Sequence, residues 1–326
     1  MPDAQRGLVA SWYRAARSLW LLRPLELLFC SFAVLRRRCY SWGLLTPYQS
    51  EIPVVIVGNI TVGGTGKTPV VIALVEALQG MGMRAGVVSR GYGATAPHYP
   101  YTVTDDSKAY ECGDEPLLIY RRTRCPCVVD PSRARAVTAL LDSFAVDVVI
   151  SDDGLQHYAL ARSMEIVVLD AERGVGNGFC LPAGPLREPA SRLRSVDYVL
   201  HRGSDYPMTG VHYQADGLVN MRSGERRPAC PESVGNPVNA VAGIGQPLQF
   251  FKSLRQQGFE IEQHEFPDHY DFSAADFLEL DDRPIIMTEK DAVKCGGWAG
   301  ENAWYLSINA QLPDAVVQAV ATLARN

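Results

Sequence analysis

The segment PVVIVGNITVGGTGKTPVVIALVEAL, from Pro53 to Leu78, is the most informative part of the sequence, because it combines a strand, a glycine-rich turn and the start of a helix. Successive backbone N–H groups in such a turn form a concave cradle for anions, and the helix N-terminus adds its partial positive charge. Thr61 stands where the common P-loop pattern begins with glycine, but the core from Gly63 to Thr68 is intact. The alternative is an ordinary strand–helix turn that is rich in glycine. The pattern favours a chain that binds a nucleoside triphosphate.

The residues of this turn predict how the triphosphate is held. Lys67 is placed to reach the β- and γ-phosphates, and the Thr68 hydroxyl is placed to hold Mg²⁺. Pro69 suits the first helical turn, where its missing N–H costs nothing. The predicted nucleotide-binding residues are Thr61, Val62, Gly63, Gly64, Thr65, Gly66, Lys67 and Thr68.

A pair of carboxylates provides further candidate metal ligands. Asp152 and Asp153 follow the run Val146-Asp-Val-Val-Ile150 in the way that a Walker B element follows its strand. Carboxylates at a strand end near a P-loop can hold the Mg²⁺ shell or orient an attacking group. We therefore predict a metal site made by Thr68, Asp152 and Asp153. A solvated acidic turn is the alternative.

The same region tests whether the nucleotide is GTP. A GTPase has D-x-x-G after this strand, whereas the sequence has Asp152-Asp-Gly-Leu155. A GTPase also has an N/T-K-x-D motif for guanine, whereas Thr288-Glu-Lys-Asp291 has those letters out of order. Both departures from the GTPase motifs favour ATP over GTP as the bound nucleotide.

Composition narrows the class of protein. The chain has 326 residues, of which 47% are hydrophobic. This is ample to build a core, and it exceeds what a single domain usually needs. The net charge of −5 argues against a duplex nucleic-acid binder, which is usually basic. The eight cysteines are scattered, and the close pair Cys125-Pro-Cys127 lacks the spacing of zinc or thioredoxin-like sites. We therefore expect reduced thiols in a cytosolic compartment.

The N-terminal region contains a short apolar segment, SLWLLRPLELLFCSFAVLRRR, from Ser18 to Arg38. Its longest apolar run, 27–35, is far shorter than the roughly 20 residues that span a bilayer. Tryptophan and tyrosine flank the segment and three arginines close it, as in helices that lie in the membrane interface. The alternative is a helix packed on the main domain.

Strands alternate with helices along the chain, and polar residues follow several of the strands. This alternation predicts an α/β fold with an open, mostly parallel sheet of the P-loop NTPase type, whose site lies along the carboxyl edge. A second, smaller α/β unit follows. The predicted divisions are an N-terminal amphipathic membrane-interface segment (1–45), a P-loop domain (46–203), an extended linker or hairpin (204–236) and a smaller C-terminal α/β domain (237–326).

Two further motifs have both a structural and a catalytic interpretation. Gly113-Asp-Glu-Pro116 puts two acids at the start of a helix, where acids are common as caps. Phosphate transfer to an alcohol also needs an acceptor near the hydroxyl, so Asp114 and Glu115 are equally candidates for chemistry. Phe266-Pro-Asp-His-Tyr270 contains His269 in a loop after a strand, and a lone histidine is more often structural.

Taken together, the motifs resemble one family, the tetraacyldisaccharide 4′-kinases, which are the lipid A 4′-kinases of Gram-negative bacteria. The resemblance runs over nearly the whole chain, including the N-terminal apolar helix. The motifs are, in order, Gly63-Gly-Thr-Gly-Lys-Thr-Pro69, Ser89-Arg-Gly-Tyr-Gly93, Gly113-Asp-Glu-Pro116, Asp152-Asp-Gly-Leu-Gln-His157, Leu181-Pro-Ala-Gly-Pro-Leu-Arg-Glu-Pro189, Gly243-Ile-Gly-Gln-Pro247, Phe266-Pro-Asp-His-Tyr270 and Thr288-Glu-Lys-Asp-Ala-Val-Lys294.

The resemblance implies an activity and a location. The enzyme would transfer the γ-phosphate of Mg²⁺-bound ATP to the 4′-hydroxyl of a tetraacylated glucosamine disaccharide 1-phosphate, giving lipid IVA. It would lie on the cytoplasmic face of the inner membrane without spanning it. Its partners would be this lipid and the membrane surface, with no nucleic acid and no obligatory protein partner.

The resemblance also implies residue roles. Asp114 would act with His269, and Lys67 would supply charge opposite the phosphates. Such a His–Asp pair from two lobes would form only on closure, which would limit wasteful ATP hydrolysis. The residues expected beside phosphate or substrate are Arg90, Tyr92, Glu115, Gln156, His157, Arg187 and Glu188.

Two other functions remain open at this point. One is a membrane-associated P-loop ATPase that drives a protein partner, with the N-terminal helix as its docking element. The other is a P-loop kinase with a soluble acceptor, in which that helix belongs to the core.

Overall fold

The computed structural model of this chain describes residues 11–13, 17–295 and 300–325. Residues 1–10 and 14–16 of the predicted membrane-interface segment lie outside the described residues. The helices are α1 Arg23–Ser41, α2 Lys67–Gly80, α3 Ala109–Cys112, α4 Asp114–Thr123, α5 Arg133–Ser143, α6 Pro231–Val234, α7 Pro247–Gln256, α8 Ala274–Leu278, α9 Glu289–Cys295 and α10 Asp314–Arg325, with 3-10 turns at Arg17–Leu22 and Ala190–Ser195.

The strands of the described residues form one continuous sheet in the order β11-β10-β12-β13-β8-β7-β6-β1-β5-β2-β4-β3, with β9 paired to β8. The strands are β1 Val54–Gly58, β2 Ala85–Ser89, β3 Tyr101–Thr102, β4 Cys127–Val129, β5 Val148–Asp152, β6 Met164–Asp170, β7 Tyr198–Arg202, β8 Gly210–Asn220, β9 Arg226–Arg227, β10 Val238–Ala242, β11 Ile261–Glu265, β12 Ile285–Thr288 and β13 Ala303–Gln311. Antiparallel pairing is limited to β3 with β4, β8 with β9 and β8 with β13. The predicted open, mostly parallel α/β sheet is confirmed.

The central strands explain why the sheet is parallel and covered on both faces. Every residue of β1, β2, β5 and β6 is buried. Val55 and Val57 belong to one core cluster, whereas Val54 and Ile56 belong to another, so β1 alternates between two apolar layers. Such continuous β-branched runs are typical of parallel strands with helices on both sides.

The long strand β8 joins the two parts of the sheet. It pairs in parallel with β7 at its start and antiparallel with β13 along most of its length. The predicted linker or hairpin, 204–236, therefore contains β8, β9 and α6. The division of the chain into two domains at this range stays a prediction.

Helix α1 has two unlike faces. Toward the domain, the buried Glu26 accepts a hydrogen bond from the backbone N–H of Cys180 at 3.2 Å. On the other side Leu25, Leu28, Phe32 and Leu35 are exposed at a spacing of three and four residues, which places them on one helical face. Among the described residues, no helix combines the length and hydropathy needed to cross a bilayer.

The loop after β2 is closely packed, and this leads to a stability prediction. Gly91 has a φ of +66°, and a Cβ there would lie 2.4 Å from Cγ1 of Val129. We expect Gly91→Ala to lower the free energy of unfolding by roughly 2 kcal/mol, from backbone strain and steric overlap. Chemical denaturation measures this difference. Gly80→Ala is the control, since Gly80 ends α2 with nothing within 4 Å of a Cβ. Equal stability of Gly91→Ala and wild type would contradict the tight packing.

Candidate active site

A cleft of about 760 Å³ opens at the carboxyl edge of the sheet. Helix α1, the loops after β2, β5, β6 and β11, and the start of α4 all contribute to its walls. The predicted site residues that line it are Arg90, Tyr92, Asp114, Glu115, Asp152, Asp153, Gln156, His157, Arg187, Glu188 and His269. The fold thus brings residues more than 150 positions apart to one cavity.

The glycine-rich turn at the start of α2 is held from several sides. Gly63 and Gly66 have φ values of +97° and +81°, which favour glycine. The Asn59 side chain donates to the Thr65 hydroxyl at 3.1 Å. The backbone N–H of Val62 donates to the Pro185 carbonyl at 2.8 Å, and Thr61 bridges to the same loop. The turn is therefore preformed by contacts with its neighbours.

Residues that follow the P-loop part of the chain also contact this turn. Nε2 of Gln246 donates to the carbonyl oxygen of Gly64 at 2.6 Å. The Tyr213 hydroxyl, on β8, donates to the carbonyl oxygen of Gly66. Both of these bonds use carbonyl oxygens of the turn, so neither occupies a backbone N–H group that could bind an anion.

Lys67 and Arg187 converge on one carboxylate. Nζ of Lys67 lies 3.5 Å from Oδ1 of Asp153, and Nη1 of Arg187 lies 3.1 Å from Oδ2. Burial by itself would raise the pKa of Asp153, but the two cations lower it to about 2. Asp153 is therefore ionised, and it holds Lys67 at the turn.

Asp152 is buried at the end of β5, and neither carboxylate oxygen has a hydrogen-bond partner among the described residues. Burial, together with the nearby Glu115, raises the pKa of Asp152 to about 7. A buried carboxylate without a donor is suited to a cation. Thr68, also nearly buried, supplies an oxygen at the start of α2. This donor set fits Mg²⁺, which prefers oxygen ligands.

Asp114 and His269 meet across the cleft. Nδ1 of His269 lies 3.0 Å from Oδ2 of Asp114, which makes Nδ1 the donor to an ionised carboxylate. The His269 ring also lies 5.5 Å from the Tyr92 ring, centroid to centroid. Burial opposes ionisation of Asp114, but the hydrogen bond from His269 and the nearby Lys294 and Lys290 lower its pKa.

Glu115, the neighbour of Asp114, pairs with a lysine of α9. Nζ of Lys290 lies 3.0 Å from Oε1 of Glu115. Burial would raise the pKa of Glu115, but Lys290 and Lys67 lower it. Glu115 therefore carries its negative charge and links α4 to α9.

The remaining predicted residues differ in burial and in their hydrogen bonding. Glu188 is buried and accepts hydrogen bonds from the Tyr158 hydroxyl and, at 3.3 Å, from Gln156. Burial and nearby arginines, Arg133 first, lower the pKa of His157 to about 4, so its ring is neutral. Arg90 and Tyr92 are exposed on the loop after β2.

Several residues of the site were missed by the sequence analysis. The motif from Thr288 to Lys294 was used to test for GTP and was quoted for the family resemblance, but no role was given to Lys290 or Lys294. Gln246 stood in a quoted motif without a role. Arg133 donates to the backbone carbonyl of Asp152 at 3.0 Å, and no motif singled it out.

Comparison with known proteins places the chain in a family. The family model described as tetraacyldisaccharide-1-P 4′-kinase matches residues 18–325. A tetraacyldisaccharide 4′-kinase of Azotobacter vinelandii is 50% identical over 306 residues, covering 93% of this chain and 92% of the relative. One of Pseudomonas putida (strain F1) is 49% identical over 307 residues, with the same coverage of 93% and 92%.

A solved structure has the same fold. It is the crystal structure of the "apo" form of LpxK from Aquifex aeolicus in complex with ATP, with a TM-score of 0.78 and 27% identity. The match covers 94% of this chain and 99% of that chain. On the family match and these identities, the chain belongs to the tetraacyldisaccharide-1-P 4′-kinase family.

Proposed function

We propose that this chain transfers the γ-phosphate of ATP to the 4′-hydroxyl of a tetraacylated glucosamine disaccharide 1-phosphate, giving lipid IVA. Family membership supports an ATP-dependent kinase acting in lipid A biosynthesis. The observation that carries the proposal is the cleft, in which the Asp114–His269 pair and the carboxylates beside the phosphate turn face one cavity. A donor phosphate and an acceptor hydroxyl could meet there.

The walls of the cleft suit an acceptor with sugar, phosphate and acyl parts. Phe29, Phe32 and Ala33 of α1 form an apolar wall. Arg90, Arg133 and Arg187 line the polar part, where guanidinium groups match phosphate oxygens. An amphiphilic substrate would satisfy both walls, whereas a small soluble acceptor would leave the apolar wall without a partner.

The nucleotide would lie with its phosphates in the turn at the start of α2. The backbone N–H groups and the helix N-terminus attract the β- and γ-phosphates, and Lys67 adds a full positive charge. A relative of this family was crystallised with ATP, which supports ATP as the donor.

Thr68, Asp152 and Asp153 would hold Mg²⁺, and the unpartnered oxygens of Asp152 support this assignment. When bound, the ion neutralises negative charge on the phosphate oxygens. The chain's own contribution is to position Asp153, which forms ion pairs with both Lys67 and Arg187.

Asp114 would accept the proton of the 4′-hydroxyl as the phosphoryl group moves. Phosphoryl transfer has a loose transition state, so the protein acts mainly by positioning and charge stabilisation. His269 would orient the carboxylate through its Nδ1. The neutral His157 and the paired Glu188 would shape the acceptor pocket.

The exposed face of α1 would lie on the cytoplasmic surface of the inner membrane. Leu25, Leu28, Phe32 and Leu35 form its apolar stripe, and the exposed Trp20 and Trp42 stand near its two ends. Aromatic and basic residues around a short apolar helix favour the interface over the bilayer interior. Because the acceptor's acyl chains stay in the bilayer, docking there would bring the cleft to its substrate.

The reaction can be tested with γ-labelled ATP and tetraacyldisaccharide 1-phosphate in detergent micelles. We expect the label on the 4′-oxygen, identified by mass spectrometry of the lipid product. Free labelled phosphate without labelled lipid would contradict the proposal and favour an ATPase. Transfer to a water-soluble sugar at an equal rate would favour a kinase of a soluble acceptor.

Lys67→Ala should lower kcat at least about a hundredfold, because one charge-stabilising contact of this kind accounts for about 3 kcal/mol. The same transfer assay measures it. Lys252→Ala, an exposed lysine on α7, is the control and should retain wild-type activity. If the kcat of Lys67→Ala lay within tenfold of wild type, with an unchanged melting temperature, the turn at the start of α2 would not be the phosphate-binding site.

Asp114→Ala and His269→Ala should each slow transfer strongly, and the double variant should be little worse than the worse single one. Residues that act as a unit are non-additive, since loss of either leaves the other with nothing to orient. ATP affinity should stay within a few-fold. Single-turnover rates measure the effect, with His98→Ala, an exposed histidine outside the cleft, as control. Losses that multiply would mean two independent roles.

Leu25→Ser combined with Leu28→Ser should weaken binding to vesicles by tenfold or more and leave ATP affinity unchanged. Each leucine buried in the interface contributes roughly 1.5 kcal/mol or more. Vesicle sedimentation measures binding. The control is Leu278→Ser, since Leu278 is even more exposed than Leu25 and Leu28 but lies on α8. Equal loss in the control, or no loss in the double variant, would argue against docking through α1.

A further inference from the structure

Helices α4 and α9 are joined by ion pairs along their length, and α4 begins with the proposed proton acceptor. At one end Nη1 of Arg122 lies 2.9 Å from Oε2 of Glu289. At the opposite end of α4, Lys290 pairs with Glu115 at 3.0 Å. Next to this pair, Nζ of Lys294 lies 3.9 Å from Oδ2 of Asp114. This register brings a cation of α9 to Asp114.

Lys294 is an almost fully buried cation, with a side chain that is 5% exposed. Its Nζ lies 2.7 Å from Oδ1 of Asp291, one helical turn earlier. The Phe272 ring lies on another side, with its centroid 5.0 Å from Nζ. A buried ammonium needs nearby negative charge, and here that charge comes from Asp291 and Asp114.

Asp291 is itself held firmly, so it fixes where Lys294 can go. Its Oδ2 accepts hydrogen bonds from the Thr288 hydroxyl at 2.6 Å and from the Gly243 backbone N–H at 2.9 Å. The Gly243 carbonyl in turn accepts from the backbone N–H of His269 at 3.2 Å. The same network therefore places both Lys294 and His269.

Lys294 and His269 approach the same oxygen of Asp114. Nδ1 of His269 lies 3.0 Å and Nζ of Lys294 3.9 Å from Oδ2. In the described part of the chain, no side chain or backbone group is seen to hydrogen bond to Oδ1 of Asp114. Oδ1 is therefore the oxygen that remains for an incoming hydroxyl.

We propose that Lys294 is a positioning residue for phosphoryl transfer, which anchors Oδ2 of Asp114 so that Oδ1 is presented to the acceptor hydroxyl. This role rests on the proposed function, since it needs Asp114 as the proton acceptor. Lys294 does not touch the substrate and acts through Asp114 alone.

The charge of Lys294 should also affect the ionisation of Asp114. Lys294 is one of the groups that lower the pKa of Asp114, so its removal should raise that pKa. With a higher pKa, Asp114 stays protonated up to a higher pH and cannot accept a proton there. The acid limb of the pH profile of kcat therefore moves to higher pH. The charged or titratable groups around Asp114 are Glu115 on its own helix, Cys112 on α3, Asp268 and His269 in the loop after β11, and Lys290, Asp291 and Lys294 on α9.

The first test is the pH profile of kcat for Lys294→Met, with lipid acceptor and saturating ATP. We expect kcat to fall about tenfold, the KM for ATP to stay within threefold, and the acid limb to rise by about one pH unit. Lys294→Arg keeps the positive charge, so the acid limb of its kcat profile should lie at the wild-type position. Lys252→Met, an exposed lysine on α7, should match wild type throughout.

The second test repeats Lys294→Met in an Asp114→Asn background. Because Lys294 acts through Asp114, we expect no further loss of kcat there. A loss that multiplies with that of Asp114→Asn would overturn the proposal. So would an acid limb that stays at its wild-type position in Lys294→Met alone.

Lys294→Met leaves the charge of Asp291 uncompensated and could unfold the protein. Lys294→Met combined with Asp291→Asn removes both charges while Asn keeps an oxygen for Gly243, and the same limb shift is expected. If the wild-type enzyme does not phosphorylate the lipid, both the proposed function and the role of Lys294 are contradicted. Wild-type transfer with an unchanged acid limb in the double variant contradicts only the role of Lys294.

Discussion

Charge balance at the carboxyl edge of the sheet is the constraint on which the site depends. Parallel strands end at the same edge, so their terminal polar residues are crowded together and partly removed from water. Carboxylates in such a place stay ionised only beside cations. Asp114, Glu115, Asp152 and Asp153 are accompanied there by Lys67, Arg187, Lys290 and Lys294. Among these four residues, Asp152 has neither carboxylate oxygen hydrogen-bonded within the described part of the chain, which supports the proposal that it binds a divalent cation.

The balancing cations come from both parts of the sheet, so the site and the junction between those parts are one structure. Lys67 and Arg187 belong to the P-loop part, whereas Lys290 and Lys294 lie on α9. Helix α4 is the shared element, since ion pairs at both of its ends bind α9. We expected from the sequence that the His–Asp pair forms only on closure. In the structure His269 already lies 3.0 Å from Asp114, with Asp291 supporting its loop.

Helix α1 unites two interpretations that the sequence left as alternatives. Its Glu26 face packs on the domain, as the core-helix alternative predicts. Its leucine face is exposed, as the interface alternative predicts. Phe29 and Phe32 also line the cleft. A single amphipathic helix can therefore attach to the fold, present an apolar stripe and form one wall of the site, because its faces repeat every 3.6 residues.

The glycine-rich turn, the alternation of strands with helices, and the acids and histidine proposed for the site could all be predicted from the sequence, because these signals are local. The capping pattern of Thr288 and Asp291 could also have located α9, since Thr288 Oγ1 accepts from the backbone N–H of Asp291 at 3.1 Å. Which charges meet could be seen only from the packing of the folded chain. Lys290 and Glu115 are 175 positions apart, and their pairing depends on how α9 packs on α4. Such a contact has no local pattern, since it forms only when the sheet brings both helices together.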